Sequence, residues 1–161
     1  MVPPLSPWAL PLLAGPLLVG AAWDLARFRI PNLVPAVLVA LFPAAAWLTG
    51  WSGFAWGDHL LGGALGLALG LLAFGLRAMG GGDAKLFAAA ALWVGLERLV
   101  VLMITTSLAG GVLTIALLAL RQRGFGAYLA AKGAAFPVLE RKAPIPYGVA
   151  IAVGCLWLMK G

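Results

Sequence analysis

The chain has 161 residues, of which 63% are hydrophobic and only 10% charged, and its mean hydropathy is +1.05. A soluble domain carries about 25% charged residues, so lipid must solvate most of this chain, and its length suits a single domain over residues 1–161. The net charge of +6 does not argue for nucleic acid, because the basic residues stand in short gaps between apolar runs and build no basic face.

In chain order, charges separate six apolar stretches: Trp8 to Trp23, Leu33 to Thr49, Leu60 to Leu76, Ala84 to Leu96, Leu99 to Leu120 and Ile145 to Met159. They predict an all-α, polytopic membrane protein with six transmembrane helices. No basic residue precedes the first stretch and no clear small-residue cleavage site follows it, so it reads as a retained helix rather than a removed signal. Several stretches fall short of the roughly 20 residues that cross a hydrocarbon core. The fourth is shortest, which draws Asp83 and Lys85 toward the bilayer boundary. The division at Glu97 and Arg98 is the weakest, yet one helix from Leu86 to Leu120 would be about 52 Å long at 1.5 Å per residue, and a tight hairpin there is expected instead. The spacing of Gly62, Gly63, Gly66 and Gly70 predicts close helix packing. Within the polar connection from Arg121 to Pro144, the stretch Phe125 to Phe136 suits either a short helix on the membrane surface or a plain loop. The one cysteine, Cys155, permits neither a disulfide within the chain nor a Cys-rich metal site and reads as packing.

If the chain alternates sides, Arg27, Arg29, Arg77, Lys85, Arg121, Arg123, Lys132, Arg141 and Lys142 gather on one face, against Arg98 and Lys160 on the other. That excess marks the first face as cytoplasmic. The N-terminus is then outside, as is the loop from Gly50 to His59.

Acids are few, and a carboxylate near lipid costs several kcal/mol unless something recovers it. Asp58 can cap the helix after it, Glu97 can pair with Arg98, and Glu140 lies among Arg141 and Lys142, where a solvated ion pair is the default. Asp24, in Trp23-Asp24-Leu25-Ala26-Arg27-Phe28-Arg29-Ile30-Pro31-Asn32, and Asp83, in Gly80-Gly81-Gly82-Asp83-Ala84-Lys85-Leu86, fall at the same depth on the same side. The three glycines weaken a helix and predict an unwound segment that admits another backbone or pairs with an extended peptide. A plainer alternative is that Asp83 caps its helix and Asp24 pairs with Arg27 one turn on. Two carboxylates held close share a proton, one serving as base and one as acid, which suits peptide hydrolysis. The only histidine, His59, falls on the opposite face and reads as an interfacial residue, so Ser/His catalysis or a His-based zinc site beside the aspartates is not expected. No cofactor or metal is expected.

At these residues the chain resembles the type IV prepilin peptidase family of GxGD membrane aspartyl proteases, especially the small form found with Flp/Tad-type pilus systems. The resemblance rests on Asp24 with Ile30-Pro31-Asn32, on the Gly80 to Leu86 segment, and on Ile145-Pro146-Tyr147-Gly148 opening the last helix. It implies that Asp24 and Asp83 are catalytic and that Gly80, Gly82, Lys85, Pro31 and Asn32 shape the site. The substrate it implies is a prepilin or pseudopilin, whose short basic leader is cut after a glycine at the cytoplasmic face of the inner membrane. Larger members carry a cytoplasmic domain with two pairs of cysteines and also N-methylate the new terminus; this sequence shows no such domain, so peptidase activity without methylation is expected. Lys85 could tune the pair, meet an acidic residue of the pilin, or simply snorkel. The main alternative is a proton-coupled transporter or membrane assembly subunit using the same aspartates as proton carriers, although the repeated halves common in transporters are not apparent. The oligomeric state is not readable from the sequence.

Overall fold

Backbone groups facing lipid have no water to bond and must satisfy one another, which favours helices. In the computed structural model, which describes residues 9–50, 55–122, 124–132, 136–140 and 142–160, the regular secondary structure of the described residues is all helical, with no strand. The helices are α1 (Leu10–Arg27), α2 (Leu33–Gly50), α3 (Trp56–Gly75), α4 (Gly81–Val94), α5 (Leu99–Gln122), α6 (Phe125–Ala131) and α7 (Tyr147–Lys160), with a 3-10 turn at Pro137–Leu139 before α7. Three of them, α2, α3 and α5, are long and apolar enough to cross a membrane, and α7 is a shorter apolar helix.

The core is built around α4, which packs against α2, α3 and α7. Apart from Lys85 and Ala88, every residue from Ala84 to Val94 is buried. The α3 and α4 pair makes the broadest contact in the molecule, and the glycine ridge expected from the sequence is the reason. A Cβ added at Gly62 would lie 2.7 Å from the Gly95 carbonyl carbon, at Gly66 2.5 Å from the Ala91 Cβ, and at Gly70 2.9 Å from the Ala84 carbonyl oxygen. Only hydrogen at these positions lets the two backbones meet. On the α2 side, the buried Trp93 Nε1–H donates to the Leu38 carbonyl at 2.9 Å, and Phe42 stands edge-on to Trp93 and Trp56. Cys155 is fully buried in α7, which settles its role as packing. Large apolar side chains such as Leu61 and Leu65 on α3 or Leu108, Val112 and Ile115 on α5 are exposed, a surface suited to lipid rather than water.

Three expectations need correcting at the end of the molecule where α3 begins. Asp58 and His59 lie in the first turn of α3 rather than in a loop. Asp58 does not cap its own helix: Oδ2 accepts from the Leu96 N–H at 3.1 Å and Oδ1 from the Glu97 N–H at 3.0 Å, so it clamps the turn between α4 and α5. That turn is the hairpin expected at Glu97 and Arg98, and Gly95 enters it at φ +85°. His59 is not interfacial but buried, with Nδ1 donating to the Leu92 carbonyl at 2.9 Å. At the opposite end, the open choice for the stretch after Arg121 resolves in part as a helix over Phe125–Ala131, whose Phe125 and Tyr128 are exposed and stacked. Arg123 and Arg141, counted among the cytoplasmic charges, lie outside the described residues.

Candidate active site

Asp24 occupies the last turn of α1, which ends at Phe28 in the left-handed conformation with φ 53°. The chain then turns through Ile30 and Pro31 into α2. Asp24 is only 4% exposed, and its carboxyl accepts from the Gly148 N–H, which donates to Oδ2 at 2.8 Å. Arg27 does not pair with it; the guanidinium lies over the Trp23 ring, 4.7 Å from its centre.

Asp83 is the third residue of α4, where a carboxylate satisfies N–H groups that the helix itself leaves open. Its Oδ2 accepts from the Gly80 N–H at 3.2 Å, and the Ala84 N–H reaches the Gly80 carbonyl at 3.0 Å. This capping corrects the expectation of an unwound glycine segment: Gly81 and Gly82 are helical, and Gly80 alone is extended. Capping uses only one oxygen. The other, Oδ1, is buried with no hydrogen-bond partner.

The three sequence motifs converge on Ile30. A Cβ on Gly82 would lie 3.2 Å from the Ile30 Cβ, and one on Gly148 would meet the Ile30 Cδ1 at 2.8 Å and Asp24 Oδ2 at 3.0 Å. Glycine at both positions is what allows α4 and α7 to close on the turn after α1. Between them is a cavity of about 450 Å³ lined by Asp24, Phe28, Phe74, Arg77, Ala78, Met79, Gly80, Asp83, Pro144, Ile145 and Tyr147. Both aspartates line it. Phe28 and Arg77 are the positive-φ non-glycine residues of the described chain, and both stand on this wall. Such conformations persist only where surrounding structure enforces them and cluster at functional sites.

The remaining expected site residues fall close by. Gly80 lines the cavity, Gly82 packs on Ile30, and Pro31 accepts the Val34 N–H at the start of α2. Lys85 and Asn32 meet directly, the ammonium donating to Asn32 Oδ1 at 3.0 Å, so Lys85 is a bridge from α4 to α2 rather than a free snorkelling end. Together they border a larger groove of about 810 Å³ between α2, α3 and α4 that contains neither aspartate. Sequence reasoning missed two contributors: the Gly148 N–H, legible only as part of the motif opening α7, and the burial of Arg121, which nothing in the sequence signals.

Two carboxyls thus line one cavity, each anchored by a backbone N–H through one oxygen. The pattern of the type IV leader peptidase family matches residues 12–115, more than half of the chain and a range that includes Asp24 and Asp83. The chain therefore belongs to the type IV leader peptidase family. Comparison with curated proteins and with solved structures found no match.

Proposed function

We propose that the chain is a prepilin-type aspartyl endopeptidase in which Asp24 and Asp83 are the catalytic pair. The observation that carries this reading is that both carboxyls border one cavity, with a buried oxygen of Asp83 left unpartnered. One aspartate takes a proton from water as the water attacks the scissile carbonyl, while the other protonates that oxygen; the roles reverse as the amine departs. The whole chain acts as one domain with six crossings, α1 to α5 and α7, and the N-terminus outside. This topology puts the cavity at the cytoplasmic face of the inner membrane, where a prepilin or pseudopilin presents a basic leader before its apolar helix. The product carries an unmethylated N-terminus.

Protein purified in detergent and incubated with a prepilin-like peptide tests the reading, with mass spectrometry locating the cut. Cleavage after the leader glycine is expected, without a gain of one methyl group when a methyl donor is supplied. An intact peptide would overturn the peptidase assignment, and a methylated product would overturn the restriction to proteolysis.

A further inference from the structure

The last turn of α5 holds a cation that the proposed chemistry leaves unused. Arg121 is 6% exposed, although a buried charge is costly unless paired and fully hydrogen-bonded. Among the described residues it has no carboxylate partner. Its guanidinium donates instead to two backbone carbonyls: Nε and Nη2 reach Val138 O at 3.0 and 2.8 Å, and Nη2 also reaches Pro144 O at 3.1 Å.

Those carbonyls bracket the segment that leads into α7. Among the described residues its own backbone bonds are local, from Leu139 to Phe136, Glu140 to Pro137 and Ala143 to Glu140, and prolines at 137, 144 and 146 remove further donors. Its 3-10 turn packs on α1 and α5 with Val138 buried, and Arg121 adds bonds to carbonyls at both ends of the segment. A planar guanidinium with donors in a rigid fork is well suited to gather two carbonyls at once. Pro144 and Ile145 then form a wall of the acid cavity, and one turn on stands Gly148, whose N–H holds Asp24. We infer that Arg121 is a positioning residue: it latches the Val138 and Pro144 carbonyls onto α5 and so fixes both the cavity wall and the hydrogen bond that orients Asp24. This role rests on the reading of Asp24 and Asp83 as the catalytic pair.

The test uses the full chain with Arg121→Gln and Arg121→Lys, each also carrying Cys155→Ala and Ala143→Cys as a labelling site. In Arg121→Gln, kcat on the prepilin-like peptide should fall roughly 10- to 100-fold, the scale expected for a misplaced reacting group. KM should change less, maleimide labelling at position 143 should quicken several-fold, and Arg121→Lys should recover part of both. A wild-type kcat and labelling rate in Arg121→Gln would overturn the inference. If that variant does not fold, the same two readings on Arg121→Lys decide, with wild-type values for both again counting against the latch. Labelling reports on the latch whether or not the peptide is cut, so failure of the peptidase reading is visible separately, as a wild-type protein that cleaves nothing.

Discussion

Each end of α4 is met by an aspartate, and the two are bonded in opposite ways. Where α4 ends, Asp58 reaches across from α3 and uses both oxygens, one on the Leu96 N–H and one on the Glu97 N–H. Gly95, at positive φ and with no room for a Cβ beside Asp58 Oδ2, lets the turn come that close. Where α4 begins, Asp83 commits one oxygen to the Gly80 N–H and buries the other without a partner, facing a cavity shared with Asp24. Both are carboxylates at helix ends in a protein with only 5 acidic residues. What separates a clamp from a candidate acid or base is the hydrogen-bonding capacity left over once the local backbone has been served.

The comparison breaks most sharply under substitution by asparagine at the proposed pair. Asp24→Asn and Asp83→Asn should each lower cleavage by about 10²- to 10⁴-fold, and the double variant should be no slower than either single, because two groups acting as one unit lose their whole contribution together. Thermal stability in detergent should hold, since asparagine retains an oxygen for the Gly148 or Gly80 N–H. Retained cleavage in either single variant would remove that residue from the pair. Asp58→Ala should do the reverse. It removes both carboxylate bonds to the turn, leaving the Leu96 N–H only the Asp58 backbone carbonyl and the Glu97 N–H to solvent, a loss of about 1–3 kcal/mol, while protein that remains folded should cleave at the wild-type rate. A large fall in kcat with unchanged melting would erase the distinction between the two ends.

The all-helical fold and the close packing of the α3 glycines were legible in the sequence because both follow from composition and spacing. Charges bounded the helices to within a few residues, and the glycine spacing marked a close-packing face on α3, whose partner proved to be α4. Asp24 and Asp83 stood out because a carboxylate is conspicuous among so few charges. Partnership was the illegible part. Nothing in the order of residues says that Asp58 would serve a turn beginning thirty-seven positions later at Gly95, that Lys85 would find Asn32, or that Arg121 would be buried on carbonyls. The three glycines before Asp83 misled for a related reason: glycine's conformational cost argues for an unwound segment, but capping by the carboxylate three residues on stabilises the first turn enough to keep Gly81 and Gly82 helical.

The smallest expected effect concerns Lys85. Two residues beyond Asp83, it is rotated about 200° around a helix of 3.6 residues per turn, onto the face of α4 that borders the α2–α3 groove. From there it donates to Asn32 at the start of α2 and does not line the acid cavity. A role in tuning the carboxyl pair would require it on the other face. A role in meeting an acidic residue of the substrate would require the substrate to pass along the groove. Lys85→Met keeps the apolar stem that the membrane boundary favours and removes one exposed hydrogen bond, so it should cost about 1 kcal/mol or less in stability and slow cleavage only a few-fold. Two peptides that differ only in carrying glutamate or glutamine shortly after the cut separate the possibilities. An equal, small loss on both is expected of a bridge between α4 and α2. A loss confined to the glutamate peptide would mean that Lys85 reads substrate charge, and would draw the groove into the binding site.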